Sequence, residues 1–269
     1  MTIFRAIILG VIQGGTEFLP VSSSGHLVLI PALLGWQTPT LSFTMGLHMG
    51  TFFAVLFYYF KDVIKLVKGF LSIFKKVRTP EEIFYLRLLV YIIIAAIPAG
   101  IMGVIFSKKV EQLFSSPHQV SWLFFITAFI LFLASFDFSK EQTSLRNISL
   151  KNSISVGLMQ IVSLLPGVSR SGSTIAGGVY SGMKREDAAR FSFLLSIPII
   201  FGAGIFELRD MLNASVSGVS NVELLIGFLV AFIVGLLSIK LFFSLIKKTR
   251  FYVFAIYCVI ISIIGLIFT

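Results

Sequence analysis

Apolar residues run along this chain in long unbroken stretches, without the alternation or half-faces of a water-soluble domain. Six stretches approach or reach the roughly 20 residues that cross a hydrocarbon core. They are Leu41 to Phe60, Leu86 to Phe106, Val120 to Phe136, Phe191 to Phe206, Val222 to Phe243 and Phe251 to Phe268. Two further regions break the pattern. The short apolar arms Ile3 to Ile12 and Leu27 to Leu34 flank a Gly/Pro/Ser loop, and Ile154 to Leu165 and the residues after Thr174 flank another. None of these arms is long enough to span, yet all are apolar enough to enter a bilayer, so each pair predicts a re-entrant helical hairpin. Backbone in such a loop survives at membrane depth only where protein or water satisfies it, so both loops are expected to line a cavity.

The two loops resemble each other. The first reads Gln13-Gly-Gly-Thr-Glu17-Phe-Leu-Pro20-Val-Ser22-Ser23-Ser24-Gly25-His26, and the second runs from Gln160 through Ser163, Pro166, Gly167, Ser169, Arg170, Ser171, Gly172 and Ser173 to Thr174. A shift of 147 positions matches Gly157 to Gly10, Gln160 to Gln13, Val168 to Val21, Ser169 to Ser22, Ser171 to Ser24 and Gly172 to Gly25. Past the hairpins, Lys61-Asp62 and Arg209-Asp210 repeat at an offset of 148. Three spans separate the hairpins, so the two units enter from opposite faces, the signature of an inverted-topology repeat. The expected fold is therefore all-α: a polytopic integral membrane protein of six transmembrane helices and two re-entrant hairpins. It forms one domain over residues 1–269, with halves of about 1–136 and 153–269.

Composition agrees: 57% of the 269 residues are hydrophobic and 13% charged, and the mean hydropathy is +0.97. The formal charge of +10 is accounted for by topology, without nucleic acid. Lys61, Lys65, Lys68, Lys75, Lys76, Arg78, Lys140, Arg146, Lys151, Lys184, Arg185, Arg190, Lys247, Lys248 and Arg250 fall on one side, against Arg5, Lys108, Lys109 and Arg209 on the other. The positive-inside rule then places both termini outside the cytoplasm. Lys61, Lys65, Lys68 and Lys75 recur at helical spacing beside Val63, Leu66, Val67, Phe70 and Phe74, which predicts a helix lying on anionic lipid headgroups. A cleaved signal peptide is the weaker reading of the N-terminus, since Gln13 and Glu17 fall early and no Ala-x-Ala site follows. The single Cys258 rules out a disulfide within the chain and reads as packing.

Glu17 and Arg170 are the ionisable groups that need a reason, because a charge at that depth costs roughly 2.5–3.5 kcal/mol or more. A buried salt bridge joining the two loops is the structural reading. The chemical reading is a phosphate site. Arg170 can hold two phosphate oxygens with its planar fork, and Glu17 can act as base or ligate Mg²⁺ or Ca²⁺, with Gln13 lending a neutral carbonyl ligand or a hydrogen bond. Ser23 and His26, three apart, suit a nucleophile with its base or a leaving-group acid. Ser22, Ser24 and Ser169 are rival nucleophiles, and these with Ser171 and Ser173 read equally as helix-packing serines. Backbone around Gly25, Gly167 and Gly172, with Thr174, completes the candidate substrate-binding set. His48 is either a packing hydrogen bond or a supporting partner of the site.

The run from Gly10 to His26, together with Pro166 to Thr174 far downstream, resembles the undecaprenyl-pyrophosphate phosphatase family known for bacitracin resistance, and the likeness covers essentially the whole chain. The resemblance implies hydrolysis of a polyprenyl diphosphate to its monophosphate in the bacterial plasma membrane, recycling the lipid carrier of cell-wall synthesis, with a divalent cation as cofactor. It carries the family's acidic pair onto Gln13 and Glu17, its serine and histidine onto Ser23 and His26, and its arginine onto Arg170. Gln13 departs from the family, many of whose members carry Glu there. The expected partners are the diphosphate lipid and the bilayer, with a second copy of the chain a further candidate. A secondary transporter or flippase of an anionic lipid is the alternative function, since inverted repeats with midplane hairpins are also a transport device.

Overall fold

In the computed structural model of the protein the description covers residues 1–136, 142–213, 220–247 and 250–269, and for residues 203 and 205–213 the helical path alone. Lys140, Lys248 and the side chains of Arg209 and Asp210 lie outside the described residues. Among the described residues there are eleven α-helices and no strand beyond an isolated bridge. They are α1 (Ile3–Glu17), α2 (Ser23–Leu33), α3 (Leu41–Tyr58), α4 (Phe60–Leu71), α5 (Pro80–Phe114), α6 (Pro117–Leu133), α7 (Leu150–Val162), α8 (Arg170–Tyr180), α9 (Arg185–Asn213), α10 (Asn221–Ile246) and α11 (Tyr252–Phe268).

Helix starts follow local chemistry. Thr79 and Glu82 close a reciprocal capping box ahead of Pro80, Ser149 and Asn152 do the same for α7, and Ser116 caps α6 in front of Pro117. The box at Thr79, with no stop before Ser115, extends the expected stretch Leu86 to Phe106 into a helix of 35 residues. At a rise of about 1.5 Å per residue this outruns a hydrocarbon core of about 30 Å. The helices α3, α5 and α10 are long and apolar enough to cross a membrane, while α6 and α11 are apolar but shorter. The basic stretch after α3 forms α4, with Lys61, Lys65 and Lys68 on its surface. Outward residues on α5 (Ile93, Ile97, Ile101) and α10 (Leu225, Leu229, Ile233, Leu237) are 44–59% exposed. Their four-residue spacing makes a continuous apolar stripe on each helix, which suits lipid and not water.

Small residues set how the hairpins pack. Gly10 and Gly14 of α1 lie against the α10 backbone, where a Cβ would come within 2.9 Å of Gly227 O and 2.8 Å of Ala231 O. Gly157, the residue 147 positions after Gly10, sits likewise in α7 against α5, where a Cβ would meet Ala95 O at 2.9 Å. Ser238 donates to Gly15 O at 3.1 Å and Ser153 to Tyr91 O at 2.6 Å, tying α1 to α10 and α7 to α5. Thus α1 packs along α10, α7 packs along α5, and α3 and α9 meet between them. Close backbone approach of this kind is what brings two helices together where surrounding lipid offers no hydrophobic drive.

Candidate active site

Each hairpin turns back through a serine-capped helix. In the first, α1 ends at Glu17 and Ser22 caps α2, its Oγ accepting from Gly25 N at 3.3 Å. Ser22 holds φ 68°, the one positive φ outside glycine among the described residues, a conformation that costs a β-carbon residue of order 1–3 kcal/mol. In the second, Gly167 takes φ 96° and Ser169 caps α8, its Oγ accepting from Gly172 N at 3.0 Å. Thr127 of α6 clasps that turn, donating to Gly167 O at 2.8 Å and accepting from Ser169 N at 3.0 Å. The turns touch: Ser171 donates to Leu19 O at 3.1 Å, and a Cβ on Gly25 would fall 2.9 Å from Gly167 Cα.

The capped helices meet at Glu17. Ser23, the first residue of α2, donates to Glu17 Oε2 at 2.5 Å, and Arg170, the first residue of α8, places Nη2 2.6 Å from Oε1. Gln13, one turn back in α1, donates Nε2 to Oε2 at 3.0 Å and to Thr51 of α3 at 3.3 Å. Both charged side chains are largely buried, at 7% exposure for Glu17 and 16% for Arg170. A buried pair of this kind is a poor source of net stability, because desolvation offsets its attraction. Arg170 also keeps Nη1 buried with no partner, so the guanidinium has donors to spare for a ligand.

A cavity of about 200 Å³ opens over this pair, lined by Glu17, Ser22, Ser23, Ser24, Ser163, Ser169 and Arg170, by Met45, His48 and Met49 of α3, and by Val168, Ile199, Ile200 and Gly204. The N-termini of α2 and α8 flank it. The caps take up Gly25 N and Gly172 N, helix geometry gives the two amides before each of these no partner within the helix, and the dipole favours negative charge. One wall is thus built of hydroxyls, a guanidinium and helix amides, and the other of methionine and isoleucine.

The remaining sequence-derived candidates lie behind that surface. Gly25, Gly167, Ser171 and Gly172 form the turns and caps. Thr174 Oγ1 lies 2.8 Å from Arg170 O and 2.6 Å from Ser192 Oγ, and Ser173 Oγ is buried with no partner. Gln13, expected as a metal ligand, stands one layer below the cavity with its donor nitrogen turned to Glu17 and Oε1 buried and unpartnered. His26, expected to serve Ser23, points away from the cavity. Its Nδ1 lies 2.6 Å from Ser22 O and its Nε2 2.8 Å from the hydroxyl of Tyr257 in α11. Three-residue spacing put Ser23 and His26 on neighbouring positions of α2, but the ring is drawn back one turn and outward. His48 is the imidazole at the cavity. Its Nδ1–H donates to Thr44 O at 2.9 Å, and among the described residues its Nε2 has no hydrogen bond.

An all-helical, strongly apolar chain of this kind is a membrane protein, and its buried carboxylate, its guanidinium with spare donors and its two converging helix N-termini suit an anionic ligand. The chain belongs to the bacitracin resistance protein BacA family, matched over residues 6–264. It is similar to the undecaprenyl-diphosphatase of Methanosphaera stadtmanae, 43% identical over 281 residues that cover 99% of this chain and 98% of that protein. It is similar also to the undecaprenyl-diphosphatase of Methanobrevibacter smithii, 43% identical over 98% of this chain and 96% of that protein. The undecaprenyl-diphosphatase 1 of Shouchella clausii is 36% identical over 100% of this chain and 97% of that protein.

Proposed function

We infer that the protein hydrolyses undecaprenyl diphosphate to undecaprenyl monophosphate and phosphate. The reaction is the one named by its full-length relatives, and the observation that carries it here is the double engagement of Glu17 by Ser23 and Arg170. Ser23 Oγ attacks the terminal phosphorus while its proton passes to Glu17 Oε2. The bond to the bridging oxygen breaks, and its electron pair leaves with the lipid monophosphate. Water then splits the phosphoserine to release phosphate. Arg170, through Nη1 and then Nη2, and the amides at the starts of α2 and α8 balance the charge on the transferring group. The apolar wall of Met45, Met49, Ile199 and Ile200 accepts the first isoprene units.

A divalent cation, Mg²⁺ or Ca²⁺, belongs to this reading as a companion of the substrate. Among the described residues no three His, Cys, Asp or Glu side chains gather to hold an ion, and Glu17 is the one carboxylate lining the cavity. That donor set fits a cation sharing Glu17 and serine hydroxyls with diphosphate oxygens, a common mode for Mg²⁺. Such an ion supplies further neutralisation of the phosphate charge.

The architecture in this proposal is six crossing helices and two re-entrant hairpins in one domain, with both termini outside the cytoplasm. The exchange in packing, α1 on α10 and α7 on α5, supports the inverted relation of the halves, and the lysine-rich surface of α4 supports the orientation. The flippase alternative gains nothing from a serine hydroxyl bonded to a carboxylate, which transport does not require. The test is phosphate release from undecaprenyl diphosphate by purified protein in detergent, with and without a chelator. Steady release by the wild type and loss in Ser23→Ala are expected. A protein that binds the lipid and releases no phosphate would overturn the reading.

A further inference from the structure

We propose that Tyr257, at the far end of the chain, is a positioning residue for Ser23, acting through His26 on the strained turn at Ser22. A carbonyl only accepts, so at 2.6 Å from Ser22 O it is His26 Nδ1 that carries the proton. In the neutral ring Nε2 is then an acceptor, and the Tyr257 hydroxyl donates to it at 2.8 Å. Both ring nitrogens are spent. The ring is held flat against Tyr257, with centroids 5.7 Å apart and planes 11° off parallel, and edge-on to Phe124 at 5.2 Å. Its buried position leaves no edge for the cavity, which it does not line.

What the ring grips is the carbonyl of the residue at φ 68°. Serine pays for that conformation, and the hydrogen bond from Nδ1 offsets it. Ser23 follows directly, and from this turn its Oγ reaches Glu17. Tyr257 is itself fixed, because α11 packs closely on α6. Ser262 donates to Ser121 O at 2.6 Å, and Gly265 faces Ser121, leaving no room for a β-carbon. The line of support runs from α6 to α11, to Tyr257, to His26, to Ser22, and ends on the residue that attacks phosphorus. This inference rests on Ser23 acting at the site, and it assigns His26 to orientation instead of proton transfer.

The test has two arms. The first requires neither substrate nor a variant: ¹⁵N-histidine NMR of the detergent-solubilised wild type, where only three histidines occur, assigned through His48→Gln and His118→Gln. His26 is expected as the neutral tautomer protonated at Nδ1. A ring protonated at Nε2 would overturn the proposal. The second arm is kinetic. Tyr257→Phe keeps the stacked ring and removes the hydroxyl, and it should lower kcat about tenfold with little change in KM, the scale of one lost hydrogen bond. Glycine adopts φ 68° without strain, so in a Ser22→Gly background the same substitution should cost about threefold or less. A Tyr257→Phe enzyme with wild-type kcat, or an equal loss in both backgrounds, would overturn the clamp. Absence of phosphate release by the wild type would instead sink the assigned reaction, and the NMR arm would still decide the hydrogen bonding.

Discussion

The two hairpins share a backbone device and differ in the chemistry placed on it. In each, a serine caps the returning helix through the amide of a glycine three residues on: Ser22 with Gly25, Ser169 with Gly172. In each, the residue after the cap reaches Glu17, Ser23 to one carboxylate oxygen and Arg170 to the other. The first arms diverge. Glu17 corresponds at the 147-residue offset to Leu164, and Gln13, bonded to Glu17 and Thr51, corresponds to Gln160, whose two amide atoms are buried without a partner. The turns differ too, one using glycine at a left-handed position and the other a strained serine. Paired helix N-termini flank the cavity from two sides, while the side chains are asymmetric; in the proposed reaction that asymmetry gives attack from one side and charge from the other.

The largest expected effect comes from breaking the point where the hairpins meet. Glu17→Gln and Arg170→Ala should each lower phosphate release by at least roughly 100- to 1,000-fold, the range for losing one transition-state contact in a dry site. Arg170→Lys should recover little, because a point charge lacks the fork. Thermal unfolding of the same variants separates chemistry from folding, since one partner removed leaves the other charge buried. If any of these keeps near-normal turnover, the pairing is structural only.

The turns come next. Gly167→Ala asks a β-carbon to adopt φ 96° with Val120 O at 2.7 Å, and should lower stability by roughly 1–3 kcal/mol. Ser22→Gly removes the strain at the cost of the cap to Gly25 N, a few tenths of a kcal/mol, and should change stability by no more than about 1 kcal/mol, on the stabilising side. Equal effects at the two turns would show that the left-handed serine is not strained. The smallest contrast is between the glutamines. Gln13→Met should cost about tenfold in rate by loosening Glu17. Gln160→Met replaces two unpaired polar atoms with apolar ones and should be neutral or stabilising in a thermal melt.

Much of this was legible in the chain before folding. Long apolar runs foretold α3, α5, α6, α9, α10 and α11, because backbone in lipid must close its own hydrogen bonds and an unbroken apolar run, without the alternation of a barrel strand, does so as a helix. The hairpin turns showed themselves through Gly, Pro and Ser in an apolar context, and Glu17 and Arg170 through the cost of burying them. The length of α5 needed the capping box at Thr79 to be weighed against hydropathy alone. The surroundings of the histidines could not be read from spacing. His26 is turned by a phenol 231 residues away, a partner no local pattern reveals. His48 reaches the cavity because α3 meets α9 there, with its Nδ1 turned back to Thr44 O. Gln13 looked like a ligand because it shares a helix face with Glu17. That same spacing lets its amide nitrogen bond the carboxylate from below, the hydrogen-bonding role of the two its position allows.

The central claim is that one hairpin supplies the attacking serine and the other the charge that receives the phosphoryl group. Rapid acid quench of a single turnover, with label in the terminal phosphate of undecaprenyl diphosphate, tests it most directly. The account predicts transient phosphoserine at position 23 in the wild type, formed far more slowly in Arg170→Lys and absent from Ser23→Ala. Full turnover by Ser23→Ala with no labelled protein at any time would contradict it and assign the attack to water.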